Sequence, residues 1–224
     1  VDDPAILPDR LDQRYRRGRE MAGIMPLGRS PASPKPAAAY FWSLKGKSLP
    51  AWQSSGLDAW KKEALDLWPE SEPVVSQITT PDQFVFARYM HRTLRSPVDT
   101  GLVHIGDAWH ATSPQLGQGA NMALLDAATL GWAMAATSDI GDALCQFRKA
   151  RSRHVRVYQR LSQVFTPAYQ SDGMVFPWLR DQAISHLAHL WPVNRIIARI
   201  VSGQFVRPHP PAVLQTVSTR AQPR

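Results

Sequence analysis

The chain has 224 residues, of which 44% are hydrophobic, so it is long and apolar enough to bury a sizeable core. Its formal net charge of +8 favours anionic partners such as a phosphate-bearing ligand or acidic lipid, although solvated surface charge explains it better than nucleic-acid binding. Cys145 is the only cysteine, which excludes an internal disulfide, and its helical surroundings predict burial. Neither a signal-peptide pattern nor a run of about 18 apolar residues occurs. We therefore expect a cytoplasmic protein, with a peripheral membrane contact left open.

The first 98 residues are predicted to form a mixed β-sheet with one helix on a face. Apolar residues at helical spacing predict an amphipathic helix over 56–68, with Ser55 as its N-cap and Pro69 as its end. A proline-rich loop is expected over 28–36. Alternating and aromatic residues predict four strands, over 13–17, 21–28, 37–44 and 83–89.

A strand, a carboxylate, a loop and a glycine turn follow one another after residue 101. The apolar run 102–105 predicts a buried strand, Asp107 follows it directly, and Gly117-Gln118-Gly119 opens an alanine- and leucine-rich helix. A carboxylate at a strand end can accept hydrogen bonds from sugar hydroxyls. Glycines let the backbone approach a ligand closely, and a helix N-terminus attracts negative charge. Together these parts predict a site for an anionic or polyhydroxylated ligand.

This stretch resembles the second flavin-binding motif of the FAD-dependent aromatic hydroxylases, the p-hydroxybenzoate hydroxylase-like monooxygenases. Their pattern runs Gly-Asp-Ala-Ala-His, a short loop with proline, then Gly-Gln-Gly-Ala-Asn and an aspartate. Trp109 and Ala111 depart from it. An ordinary strand–loop–helix connection, with glycines that serve only the turn, is the alternative. The positions in register are Gly106, Asp107, Ala108, His110, Pro114, Gly117, Gln118, Gly119, Ala120, Asn121 and Asp126.

The resemblance implies an α+β fold and FAD as cofactor. In this family NAD(P)H reduces the flavin, which reacts with O2 to give a flavin hydroperoxide that hydroxylates or epoxidises a small-molecule substrate. Asp107 would bind cofactor hydroxyls, and the backbone N–H groups of 117–121 would face the isoalloxazine ring. The implied cofactor-binding residues are Gly106, Asp107, Pro114, Leu116, Gly117, Gln118, Gly119, Ala120 and Asn121.

The catalytic and substrate-binding residues are less sharply indicated. Pro114 would sit beside the reactive flavin carbon, and His110 is an acid–base candidate, although a structural histidine is the preferred interpretation. Candidates for contact with substrate come from the predicted strands, where half of the side chains point away. These candidates are Tyr40, Trp42, Arg88 and Tyr89.

Two parts of the family pattern do not occur in this sequence: an initial Gly-x-Gly-x-x-Gly turn and an Asp-Gly segment that serves FAD and NAD(P)H. The resemblance covers residues from about 10 to 203, the rear portion of such an enzyme. The sequence therefore predicts the C-terminal part of a monooxygenase that needs an N-terminal half or a partner chain. The alternatives are a non-catalytic fragment or interaction module on the same scaffold and, less favoured, a basic protein that binds membrane or nucleic acid.

The C-terminal region is predicted to be helical. Residues 99–137 would complete the truncated FAD-binding domain, 138–206 would be helical and 207–224 a disordered tail. His186 and His189 are three residues apart, but no further ligands accompany them, so no metal is predicted. One face of a long helix would be apolar, formed by Leu144, Phe147, His154, Tyr158, Leu161 and Phe165. A solvated basic face would hold Arg148, Lys149, Arg151, Arg153, Arg156 and Arg160.

Overall fold

The computed structural model describes residues 1–2, 10–16, 20–30, 33–169 and 190–206. The chain divides between Arg88 and Tyr89 into two compact units. Residues 170–189 of the predicted helical region, which include His186 and His189, and the predicted tail 207–224 lie outside the described residues. The predicted domain boundaries at 98, 137 and 206 stay predictions.

The first unit contains a three-stranded antiparallel sheet in the order β1-β2-β3, formed by Asp12–Arg16, Glu20–Ser30 and Ser33–Ser43. Ala22 pairs with Trp42 and Ile24 with Tyr40, so alternate residues of β2 and β3 share one face. The first core cluster lies on that face. Its buried side chains are Ala22, Ile24 and Ala38 from the sheet, with Trp68 and Val74 from the helical segment that follows. The predicted α+β class is confirmed, and the sheet is antiparallel among the described strands.

The predicted loop over 28–36 is wrong, because β2 and β3 continue to pair through it. Gly28 pairs with Ala37 and Arg29 with Pro36, with register shifts beside both pairs. Gly28 has a φ of 71°, which only glycine adopts readily. An irregular ladder can hold prolines that a regular central strand cannot, and this explains how the proline-rich segment remains in the sheet.

Helices cover the buried face of the sheet. Helix α1 spans Leu49–Leu67 and is broken at Gly56, whose φ is 81°, so the predicted helix over 56–68 corresponds to its second half. Ser55 is not its N-cap, since its hydroxyl donates to the Trp52 carbonyl at 2.8 Å. Pro69 follows the end of α1, as predicted, and the short helix α2 spans Glu72–Val75. A second core cluster forms around Trp60, which Tyr40 and Phe84 contact edge-on.

The predicted strand over 83–89 is wrong. Gln83 ends a 3-10 turn, and residues 84–90 form no regular element. Phe84 packs edge-on against Trp60, but Val85 is 93% exposed and Phe86 half exposed. Alternating hydrophobicity predicts a strand only where a neighbouring strand supplies hydrogen bonds, and no strand of the described residues pairs with this segment.

The second unit begins with short strands and continues with helices. β4 is Arg92–Thr93, and the hairpin of β5, Val98–Asp99, and β6, Leu102–Val103, follows it. The predicted strand over 102–105 is therefore shorter than expected, and it is not buried, because Leu102 is 52% exposed. Within the described part of the chain, β6 pairs with β5 alone.

Four helices complete the described part of this unit: α3, Asp107–His110; α4, Gly119–Ala136; α5, Ile140–Tyr169; and α6, Val193–Val201. The core lies between α4 and α5, with Trp109, Met122, Phe147, Val155 and Tyr158 buried together. No helix among the described residues is long and apolar enough to cross a membrane.

The apolar face of α5 is confirmed, but two side chains were assigned to the wrong environment. Arg151 is completely buried, because it forms an ion pair with a buried aspartate across the core, and so it does not belong to the solvated basic face. Cys145 is exposed, contrary to prediction. It lies two residues before the buried Phe147, so the helical twist turns it away from the core.

Candidate functional site

A glycine turn places the first candidate carboxylate at the surface. Gly106 has a φ of 56°, and a Cβ built on it would lie 3.0 Å from the Ala123 side chain. Its carbonyl accepts the N–H groups of Trp109 and His110, both at 2.9 Å, which starts α3. Asp107, the first residue of α3, is exposed. A side chain at position 106 would strain the turn, whereas the Asp107 carboxylate is accessible to a ligand.

The loop that follows ends at the N-terminus of α4. A 3-10 turn spans Pro114–Leu116, and Gly117, with a φ of 62°, donates its N–H to the Pro114 carbonyl at 2.9 Å. A Cβ built on Gly117 or Gly119 would meet nothing within 4 Å. The first amides of α4, at residues 119–121, have no partner within the helix. The loop therefore presents open space and N–H donors together, at the positive end of an 18-residue helix.

Asp126, a residue of α4, anchors the turn at Gly106 and Asp107 to that helix. This completely buried side chain accepts the Gly106 N–H at 2.9 Å and the His110 Nε2–H at 2.7 Å on one oxygen, and the Arg151 Nε–H at 2.7 Å on the other. Burial alone would raise its pKa, but the hydrogen bond from His110 and the charge of Arg151 outweigh burial and lower it. Asp126 is thus an ionised structural anchor.

The network continues from Arg151 to a second buried histidine. Arg151 donates through Nη1 to Nδ1 of His154 at 2.9 Å, and His154 Nε2 donates to the Gly203 carbonyl at 3.2 Å. Burial, and then the neighbouring charge of Arg151, lower the pKa of His154 from 6.5 to about 4. His154 is therefore neutral at pH 7, with its proton on Nε2.

A small cavity next to the start of α4 leaves about 20 Å³ of free space, room for one water molecule. Leu116 and Gly119 line it from the loop, and Gln159 lines it from α5. Gln159 donates its amide to the His110 carbonyl at 2.7 Å, while its Oε1 is buried without a protein partner among the described residues. Gln159 thus anchors the chain between α3 and the loop to α5.

The structure gives His110 a structural environment. It is buried, and its Nε2 is occupied by the 2.7 Å hydrogen bond to Asp126. Pro114, by contrast, is exposed at the beginning of the 3-10 turn. The catalytic roles of both residues stay predictions. Of the two, only Pro114 is exposed and could contact a ligand at the loop.

The four candidates for substrate contact are not brought together. Tyr40 and Trp42 lie in β3, and both pack edge-on against Trp60 of α1, with ring centroids 5.8 and 6.4 Å apart. Burial raises the pKa of Tyr40 to about 12. Arg88 and Tyr89 are exposed and lie in no regular element. These substrate roles stay predictions, and Tyr40 and Trp42 already serve the core.

Comparison with known proteins identifies the fold. Residues 61–162 match the family model described as FAD binding domain. Over 52 residues the chain is 44% identical to the FAD-dependent urate hydroxylase of Klebsiella pneumoniae, covering 23% of this chain and 14% of that protein. The crystal structure of pqsL, a probable FAD-dependent monooxygenase from Pseudomonas aeruginosa, matches with a TM-score of 0.63 and 18% identity, over 80% of this chain and 49% of that one. The chain has the fold of the FAD-dependent monooxygenases.

A second structure supports this monooxygenase fold. Klebsiella pneumoniae HpxO, complexed with FAD and uric acid, matches with a TM-score of 0.58 and 19% identity, over 90% of this chain and 50% of HpxO. The predicted resemblance to the FAD-dependent monooxygenases is confirmed. The present chain spans about half the length of these two structures.

The residues that support the predicted flavin-binding loop, residues 113–121, were not recognised from the sequence. Asp126 was recognised only as part of the motif, and Gln159 and Gly203 were not singled out. Arg151 stood in a run of basic residues, so its charge suggested solvent. Its position three residues before His154, on the buried side of α5, was the available signal.

Proposed function

We propose that the chain is the C-terminal part of a FAD-dependent monooxygenase that hydroxylates or epoxidises a small organic substrate with O2 and NAD(P)H. One observation carries this proposal: residues 106–121 combine an exposed carboxylate, a left-handed glycine with open space around it, and the free N-terminus of a long helix. These are the groups that the hydroxyls and the polar ring edge of FAD require, so the residues present fit the cofactor.

Each part of the loop has a defined task in this proposal. Asp107 accepts hydrogen bonds from cofactor hydroxyls, as an exposed carboxylate does most readily. The amides of residues 119–121 stabilise negative charge at the ring edge, and Gly117 and Gly119 leave room for close approach. Pro114 shapes the path of O2 and substrate. When bound, FAD would supply the redox chemistry, with NAD(P)H as electron donor.

A further polypeptide segment completes the cofactor site in this proposal. The loop addresses only the flavin end of FAD, whereas the pyrophosphate requires a glycine-rich turn before a helix. The chain covers 49% of pqsL and 50% of HpxO, which leaves room in those proteins for such a segment. The segment is either an N-terminal half of the same protein or a partner chain.

Titration with FAD tests the proposal. Quenching of FAD fluorescence would be followed with the purified chain alone and with a supplied N-terminal half that carries the glycine-rich turn. We expect saturable binding in the second case, at least about ten-fold weaker for Asp107→Ala, which loses charge-assisted hydrogen bonds. Asp82→Ala, an exposed carboxylate in a 3-10 turn of the first unit, is the matched control. Equal affinity for wild type and Asp107→Ala, or no binding in either arrangement, contradicts the proposal and favours a non-catalytic fragment.

A peripheral membrane contact is a second, separate prediction, and it rests on α6 and residues 190–192. Trp191 is 76% exposed, Leu190 and Ile196 are about half exposed, and Arg195 and Arg199 are exposed nearby. Aromatic and basic side chains in this combination suit an anionic lipid surface. Cosedimentation with vesicles that contain phosphatidylserine tests it: salt-sensitive binding lost in Arg195→Gln supports the contact, and no binding at low salt overturns it.

A further inference from the structure

The C-terminal end of α6 contacts the flavin-binding loop. Helix α6 ends at Val201, and the chain turns at Gly203, whose φ is 75°. We call residues 199–205 the C-terminal clasp. Ile200 and Gly203 are buried, so this segment is part of the packed second unit.

The clasp contacts the side chains at the N-terminus of α4. Gln118, the N-cap residue of α4, donates its side-chain amide to the Val201 carbonyl. Its Oε1 accepts the Asn121 amide at 2.8 Å, so both polar residues of the glycine turn are engaged. The clasp therefore holds the Gln118 side chain, and Gln118 in turn holds that of Asn121. The backbone amides of residues 119–121, which have no partner within the helix, are the groups available for a ligand.

Gly203 lies close against the side-chain ends of this pair. A Cβ built on Gly203 would lie 2.4 Å from Asn121 Nδ2 and 2.8 Å from Gln118 Oε1. A glycine after a helix commonly serves the turn alone. At Gly203 an added Cβ would strain the backbone and would also displace the ends of two loop side chains.

Helix α5 holds the clasp from the other side. The Tyr158 hydroxyl donates to the Ile200 carbonyl at 3.2 Å and accepts the Phe205 N–H at 3.2 Å. His154 donates to the Gly203 carbonyl at 3.2 Å. The clasp is thus fixed between α5 and the loop by hydrogen bonds at both ends of the turn.

We propose that the C-terminal clasp holds the flavin-binding loop in its ligand-ready conformation, with Gly203 as a positioning residue. The proposal rests on the proposed function in one respect, namely that the ligand of the loop is FAD. The link from clasp to loop is a property of the chain itself. It can be measured without the cofactor, because it determines how often the bonded amides at the loop open to solvent.

Amide hydrogen exchange in the 224-residue chain, read by mass spectrometry of peptides that contain Gly117 and Met122, provides the test. Their N–H groups are bonded to Pro114 and Gln118, both at 2.9 Å. We expect Gly203→Ala to speed exchange in these peptides by about ten-fold or more and to weaken FAD binding by a similar factor. The milder Tyr158→Phe, which keeps the ring, should change both in the same direction.

Gly101→Ala is the matched control, since Gly101 has a φ of 68° and nothing within 4 Å of its Cβ position. It carries the same backbone strain in the same unit, but it does not touch the loop. Loop exchange that responds equally to Gly203→Ala and Gly101→Ala, or to neither Gly203→Ala nor Tyr158→Phe, overturns the clasp. If wild type binds no FAD in any arrangement, the proposed function fails, while the exchange result still decides the clasp.

Discussion

Acidification between pH 6.5 and pH 4 tests the protonation state of His154. Only the neutral ring can accept from Arg151 and donate to Gly203 at once. The His154 ring takes up a proton near pH 6.5 in the unfolded chain, but only near pH 4 in the folded chain. Because the unfolded state binds more protons in this window, stability is highest above pH 6.5 and falls as the pH approaches 4. The full effect is about 3 kcal/mol of unfolding free energy.

The assay compares wild type with His154→Gln. Glutamine can keep both hydrogen bonds but does not titrate, and all other histidines are common to the two proteins. The free energy of unfolding would be measured in urea by far-ultraviolet circular dichroism between pH 7.5 and pH 4. The difference between the two proteins should shift by about 3 kcal/mol over this range. Asp126 does not interfere, because its lowered pKa removes stability only below its ordinary value of 3.8. Parallel pH curves for both proteins would refute the assignment of a neutral, buried His154.

Three further predictions concern the supports and the surface of the second unit. Arg151→Met should destabilise the chain by about 3 kcal/mol in urea, since it removes the guanidinium that pairs with the buried Asp126 carboxylate. The exposed Arg153→Met should change stability by less than about 0.5 kcal/mol, and equal effects of the two substitutions would refute the buried pair. Gly119→Ala and Gly131→Ala both add a Cβ to α4 with nothing within 4 Å and should each raise stability by up to about 1 kcal/mol, but only Gly119→Ala should weaken FAD binding in the titration. Cys145 should react with a thiol reagent in the native chain as fast as in urea, within about ten-fold, and strong protection would contradict its exposure.

The local motif was predictable from the sequence because its chemistry is local. Gly106 and Gly117 adopt positive φ angles, Asp107 is exposed, and α4 begins at Gly119, all within the stretch that carried the resemblance. Each of these features depends on residues within about ten positions along the chain. Spacing alone therefore identified the turn, the carboxylate and the helix N-terminus.

The supports of that motif could not be predicted, because they depend on long-range pairing. Asp126 meets Arg151 across 25 residues, and Gln118 meets Val201 across 83. Composition places an arginine at the surface unless its partner is known, and this is why Arg151 was assigned to solvent. The strand predicted over 83–89 was wrong for a related reason. Its alternating hydrophobicity resembles a strand, but alternation does not specify a pairing partner, and none is found among the described residues.

The position of bound FAD on the chain can be measured directly by amide hydrogen exchange. Amide exchange would be compared with and without FAD, in the presence of the supplied N-terminal half and under conditions in which the titration is saturated. We expect slower exchange in peptides that cover residues 106–107 and 117–121, with that protection reduced in Gly119→Ala. Saturable binding of FAD that leaves these peptides unchanged would contradict the assignment of the loop as the flavin site.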